Sequence, residues 1–136
     1  MKLINLHKGI LKKDYMERNI GDILEATNRS RETGFHYIIF YEGYDDNEFI
    51  GGVMTSTDKY PVNILMNSSH FIEKDEAEND FKITFKNTKL VPAKLFKPEE
   101  WGPYEKVGQL TDEGIAFVDQ HIRNLQPEYW QNYILR

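Results

Sequence analysis

Hydrophobic and polar positions along this chain fall into short runs separated by turn residues. Phe35-His-Tyr-Ile-Ile-Phe-Tyr41 is dense in aromatic and β-branched residues and predicts a strand. Gly43-Tyr-Asp-Asp-Asn-Glu48 supplies turn chemistry, and Phe49-Ile-Gly-Gly-Val-Met-Thr-Ser-Thr57 then predicts the second arm of a hairpin. By the period of two, Phe49, Gly51, Val53 and Thr55 share one face of that arm, and Ile50, Gly52, Met54 and Ser56 the other. Two glycines in mid-strand mark a sharp bend or the close approach of another backbone or a ligand. Asp58-Lys-Tyr-Pro61 ends the run.

Further strands are predicted over Tyr60 to Met66, at His70-Phe-Ile72, and over Phe81-Lys-Ile-Thr-Phe-Lys86, where apolar and polar residues alternate without exception. Lys89-Leu-Val-Pro-Ala-Lys-Leu-Phe96 carries Pro92, which assigns it to an edge or a bulge. Lys106-Val-Gly-Gln-Leu110 is a last short strand, and Leu3-Ile-Asn-Leu6 reads as an opening one.

Helical spacing occurs twice. From Asp14 as N-cap with Glu17 three residues on, Tyr15 or Met16, Ile20, Ile23, Leu24 and Thr27 form an apolar stripe, predicting a helix over 14–28. Thr111 heads the second, with Asp112 and Glu113 favouring the N-terminal end of the macrodipole. Ile115, Val118, Ile122 and Leu125 make its buried stripe, and Pro127 stops it. The tail from Glu128 to Leu135 is aromatic enough to dock, on its own domain or on a partner.

The expected architecture is therefore α+β: a small, strongly bent antiparallel β-barrel with an N-terminal and a C-terminal helix. One domain spans 1–136, divided into an N-terminal helical extension (1–33), a barrel with its closing helix (34–126) and an aromatic tail (127–136).

Composition narrows the chemistry. The chain has 136 residues, 40% of them hydrophobic, and no cysteine, which removes thiol nucleophiles, thiolate metal sites and disulfides. No run approaches the length of a spanning helix and the start lacks signal-peptide features, so the expected location is cytoplasmic, with no membrane partner. The net charge of −5 opposes indiscriminate nucleic-acid binding, but the charges are segregated. Residues 1–31 carry seven Lys/Arg against four acids, residues 82–106 six Lys against three Glu, and residues 42–80 ten acids against two lysines.

No phosphate-binding glycine loop, dinucleotide fingerprint or metal-ligand spacing is present, so neither cofactor nor metal is expected. Four histidines remain. His7 lies in the N-terminal connection and His121 reads as a boundary residue of the closing helix. His36 and His70 stand at strand ends, where an imidazole titrating near neutrality can move a proton. Thr55 and Ser56 offer hydroxyls to a phosphate, or serve as ordinary turn residues. Arg29, Arg31, Lys94 and Lys97 are the cations nearest such a site in sequence, and charge developing on phosphorus needs at least one.

Four segments in order resemble the MazF, PemK and Kid-type toxins, endoribonucleases of toxin–antitoxin systems: Phe35-His-Tyr-Ile-Ile-Phe40, Gly52-Val-Met-Thr-Ser56, Lys94-Leu-Phe-Lys97, and Val107-Gly-Gln-Leu-Thr-Asp-Glu-Gly-Ile115. The resemblance covers about residues 34–123. It implies an SH3-like barrel, a homodimer, an acidic antitoxin partner, and metal-independent cleavage of single-stranded RNA by 2′-hydroxyl attack on the adjacent phosphate. Thr55 matches the family's catalytic threonine, with Ser56 beside it. The family's Arg-Pro pair has no counterpart, since the place reads Phe35-His36 or His36-Tyr37. His36 then stands as proton acceptor, His70 as acid, and Arg31, Lys94 or Lys97 as the cation on the phosphate. Competing readings are a non-catalytic module on the same barrel that binds nucleic acid or protein, and a topoisomerase poison like CcdB.

Overall fold

A computed structural model describes residues 19–27, 35–43, 49–96, 103–129 and 132–133. The expected opening strand at Leu3 to Leu6, the start of the expected first helix, Arg29, Arg31 and Lys97 lie outside the described residues.

Three consecutive strands form the centre of the sheet: β1 (Asp22–Thr27), β2 (Phe35–Gly43) and β3 (Phe49–Thr55). β2 and β3 are the hairpin arms read from the sequence, antiparallel with Ile38 opposite Val53 and Ile39 opposite Gly52. A Cβ on Gly51 would lie 2.6 Å from Ile38 Cγ2 and 2.8 Å from the Ile39 carbonyl oxygen, so close approach of the β2 backbone explains this glycine. The register shifts between Phe40 and Glu42, opposite the same glycine.

Beyond the hairpin come β4 (Ile64–Leu65), a 3-10 turn (Ser68–His70), β5 (Lys89–Leu90), β6 (Lys94–Phe96), β7 (Glu105–Gln109), the helix α1 (Asp112–Ile122) and β8 (Pro127–Glu128). β5 and β6 are one predicted strand cut in two at Pro92. Leu90 pairs with Met54 and Leu95 with Gly51, so both halves lie along β3. Between them the Ala93 amide turns back to the Val91 carbonyl at 2.8 Å. Proline thus acts here as the expected bulge-former.

Two expectations are corrected. Residues 22–27 of the expected N-terminal helix are strand β1, inserted between β2 and β7. Buried on both faces, it presents Ile23 to one core and Leu24 and Ala26 to the other, a pattern whose apolar positions mimic helical spacing. Its acids are met by tertiary partners. Fully buried Asp22 lies 3.1 Å from Lys106 Nζ and accepts the Asn19 amide at 2.8 Å, and Glu25 pairs with Lys82 at 2.8 Å.

The second correction concerns closure. The pairing path runs β4-β5-β3-β2-β1-β7 and ends there, so the mainly antiparallel sheet is not a closed barrel. The segment beside β7 supplies single contacts in place of a ladder: a Phe71–Leu110 bridge, the Ile72 amide on the Gln109 carbonyl at 2.9 Å, and the Ile83 amide on the Val107 carbonyl at 3.0 Å. Phe81 to Lys86, expected as a strand, is irregular. Its alternation still reports burial, since Ile83 and Phe85 pack on the core.

α1 covers one sheet face. Thr111 caps it as expected, accepting the Gly114 amide at 3.0 Å, while Val118 and Ile122 bury completely, each contributing about 1.5–3 kcal/mol. The helix ends at Ile122, before Pro127, and Leu125 is exposed. The chain then returns to the sheet, where β8 pairs parallel with β6 and Tyr129 packs on Phe96 with ring centres 5.0 Å apart. Up to Tyr129, the aromatic tail docks on its own domain.

Candidate active site

The C-terminal end of β3 delivers Thr55 into a turn. Thr55 Oγ1 accepts the Thr57 amide at 3.2 Å, and Thr57 Oγ1 accepts the Lys59 amide at 3.2 Å. This use of the Thr55 oxygen as acceptor leaves its O–H free to donate. Ser56 is exposed in the same turn.

Strand register supplies the neighbours. Tyr37 pairs with Met54, so the next position outward is His36 on β2 and Thr55 on β3. His36 is also the partner of Ala26 on β1. On the other flank Thr55 pairs with Lys89, and Lys89 with Leu65. Along the backbone, the positions Leu65, Lys89, Thr55, 36 and Ala26 therefore follow one another from strand to strand. Directly opposed residues share a face with Cβ atoms about 4.5–5.5 Å apart, which sets Lys89 beside Thr55. Thr55 is two residues beyond Val53 on β3 and so lies on the sheet face away from α1.

Lys89 was not among the residues singled out by sequence. Its Nζ lies 2.8 Å from Asp58 and donates to the Asn87 carbonyl at 3.1 Å. The hydrogen bond and charge of Lys89 hold the Asp58 carboxyl below its ordinary range. Only pairing register distinguishes this lysine from its neighbours; its sequence context, a lysine opening a strand, carries no such signal.

The other expected site residues lie elsewhere. His70 is buried at the end of the 3-10 turn, its Nδ1 accepting the Asn67 amide at 3.2 Å and its ring 4.4 Å from that of Phe117 on α1. Nε2 lies 3.9 Å from Glu113. Burial holds its pKa below the ordinary histidine value, with Glu113 opposing that shift. His70 therefore belongs to the joint between turn and helix, on the sheet face opposite Thr55. His121 adds a third ring to this joint, 4.5 Å from Phe117.

Lys94 is likewise engaged on the helix side. Its Nζ donates to the Arg123 carbonyl at the end of α1 at 2.7 Å and lies 5.6 Å from the Tyr41 ring centre. The Tyr41 hydroxyl donates to Asp119 at 2.5 Å, and Arg123 Nε donates to the same carboxylate at 2.9 Å. Burial, then the Asp119 hydrogen bond, pushes the Tyr41 hydroxyl up to about 12. These groups fasten the end of α1 to the sheet. The structure thus brings Thr55 and position 36 together, adds Lys89, and separates His70 and Lys94 from them.

Among the described residues no three His, Asp or Glu side chains are grouped so as to hold a metal ion, and no helix is long and apolar enough to cross a membrane. Comparison with protein-family models, curated proteins and solved structures finds no significant match.

Proposed function

We propose that this protein cleaves single-stranded RNA at the row formed by Lys89, Thr55 and His36, as a toxin-type endoribonuclease. The observation that carries the reading is the register Tyr37–Met54, which makes position 36 the neighbour of Thr55 just where Lys89 flanks the threonine from the other side. Transfer of a phosphodiester to its own 2′-hydroxyl needs a base and a means of meeting the charge that develops on phosphorus, which an imidazole and a cation with a hydroxyl donor can supply.

In this mechanism His36 takes the proton from the 2′-hydroxyl. The 2′ oxygen bonds to phosphorus, the bond from phosphorus to the 5′ oxygen breaks, and the departing oxygen takes a proton from water. The products are a 2′,3′-cyclic phosphate and a 5′-hydroxyl. Thr55 donates to a non-bridging phosphate oxygen, and Lys89 leaves Asp58 to meet the charge that accumulates there. His70 has no part in the step, because its Nδ1 is occupied by the Asn67 amide and its ring lies under Phe117. A second copy and an acidic antitoxin belong to this reading through the resemblance alone.

Incubating the purified protein with a mixed RNA pool in EDTA, followed by end mapping, tests the proposal. Cyclic phosphate ends that disappear in Thr55→Ala support it. RNA bound and left intact would favour the non-catalytic module, and inhibited supercoiling with intact RNA the topoisomerase poison.

A further inference from the structure

Within ten residues of Thr55 the chain exposes three large apolar side chains. Tyr60 is 52% exposed, Val62 62% and Leu65 58%. The loop that carries them is fastened at several points: Thr57 to Thr55, Lys59 to Thr57, the Asn63 amide to the Tyr60 carbonyl at 3.1 Å, and Asp58 to Lys89. Its position relative to the row is thereby set by hydrogen bonds that begin at Thr55 Oγ1 itself. Leu65 continues the row, one strand beyond Lys89. Lys59 Nζ lies 5.6 Å from the centre of the Tyr60 ring, so a positive charge accompanies the exposed aromatic face.

An exposed ring beside a lysine, held a few residues from a phosphate-binding hydroxyl, is the combination that receives an unpaired base and its phosphate. We infer that Tyr60 and Lys59 form a nucleotide subsite next to the cleaved bond, in which a flanking base of the single-stranded RNA stacks on Tyr60 while Lys59 contacts the neighbouring phosphate. The inference rests on the cleavage reading and names the part of the substrate that this loop holds. An apolar surface alone would equally suit a protein partner. The charge of Lys59 beside the ring, and continuity with the Thr55 strand end, select a nucleic acid.

The subsite requires single strands, because a base stacked within a duplex has no free face to offer. Stacking and charge contributions also separate by their response to salt. Removing the ring weakens binding by a similar factor at every salt concentration, whereas removing the lysine reduces the dependence of log K on log salt by about 0.7.

The test measures binding of a short single-stranded RNA carrying a 2′-deoxy nucleotide at the mapped cleavage position, which binds without being cut. It compares wild type, Tyr60→Ala, Tyr60→Phe and Lys59→Ala across a salt series, with cleavage of the all-ribose RNA alongside. Expected are a roughly tenfold weaker Kd for Tyr60→Ala with unchanged salt slope, near-wild-type binding for Tyr60→Phe, and a shallower slope for Lys59→Ala. In cleavage, Tyr60→Ala raises KM and leaves kcat within about twofold. Wild type that cuts RNA while Tyr60→Ala binds and cuts equally well overturns the subsite and leaves the cleavage reading standing. Wild type that neither binds nor cuts RNA overturns both. Altered self-association of Tyr60→Ala with unchanged RNA binding assigns the surface to a protein contact and overturns the inference.

Discussion

The two faces of the sheet treat their polar residues in opposite ways. On the helix side His70, Lys94, Tyr41 and Asp119 are all bound to one another's elements: turn to helix through the His70–Phe117 ring contact, sheet to helix through the Tyr41–Asp119 bond and the Lys94 bond to the Arg123 carbonyl. At the Thr55 end, the hydroxyls, Lys59 and the Tyr60 ring face solvent and are held mainly by their own loop. A titratable group that is already committed to a buried joint serves the fold, and one presented at the surface by a fixed loop is available for chemistry. Strand-end position, which made His36 and His70 look equivalent in sequence, does not separate these two circumstances.

Substitutions can break this contrast. The largest effects should fall on activity at the Thr55 end: Thr55→Ala and His36→Ala each lower RNA cleavage by about 100-fold or more, measured as kcat/KM on folded protein. Equal loss of activity in His70→Gln at unchanged stability would show that the helix side is catalytic after all.

Next in size is Gly114→Val. Gly114 lies so close to the 3-10 turn that a Cβ would sit 2.3 Å from the His70 carbonyl oxygen. Backbone cannot yield there as a side-chain tip would, so the substitution destabilises by about 3 kcal/mol in urea unfolding.

Smaller still is Tyr41→Phe, which removes the donor to Asp119 while Arg123 keeps that carboxylate satisfied. A cost of about 1 kcal/mol is expected, reduced from that of a buried charged hydrogen bond because the site is partly solvated. A cost near zero in calorimetry would show that this fastening adds nothing to the packing of Val118 and Ile122.

The mildest effect concerns pH. Burial lowers the folded-state pKa of His70 below that of the unfolded chain, so the unfolded state binds more protons as the solution is acidified. The associated stability is complete above about pH 6.5 and is lost as pH falls from there through the folded value. His70→Gln should flatten that portion of the stability profile, and an unchanged slope would remove His70 as its source.

How much of this was legible in the chain depended on which periodicity had a single cause. Phe35 to Tyr41 and Phe49 to Thr55 could be read because aromatic and β-branched content, turn residues and length all agreed. Thr111 was legible as a cap because the acids and the apolar stripe followed it at fixed offsets. Ile23 and Leu24 misled, since a strand covered on both faces shows no alternation and its apolar positions coincide with helical spacing, while Ile20, counted in the same stripe, is exposed in the turn before β1. Phe81 to Lys86 misled in the other direction: its alternation recorded which side chains pack on the core, while ladder formation depended on a neighbouring strand that the sequence could not supply. The candidate site was half visible for a related reason. Thr55 and His36 could be named from their positions, but Lys89 enters through the register of a distant strand, and the commitments of His70 and Lys94 depend on Asn67, Phe117 and Arg123, which only folding brings near.

The return of the chain from α1 to the sheet has a mechanical consequence. β8 lies parallel to β6, with Pro127 beside Lys94 and Glu128 beside Leu95, and the helix is held at its other end by the Thr111 amide on the His70 carbonyl at 2.9 Å. Tension applied through the C-terminal end would therefore load the short β6–β8 contact before it reached the helix. A force pulling on the tail would first have to part those strands, and it would reach the Thr55 end of β3 only through β6, which pairs with that strand at Ile50 and Gly51.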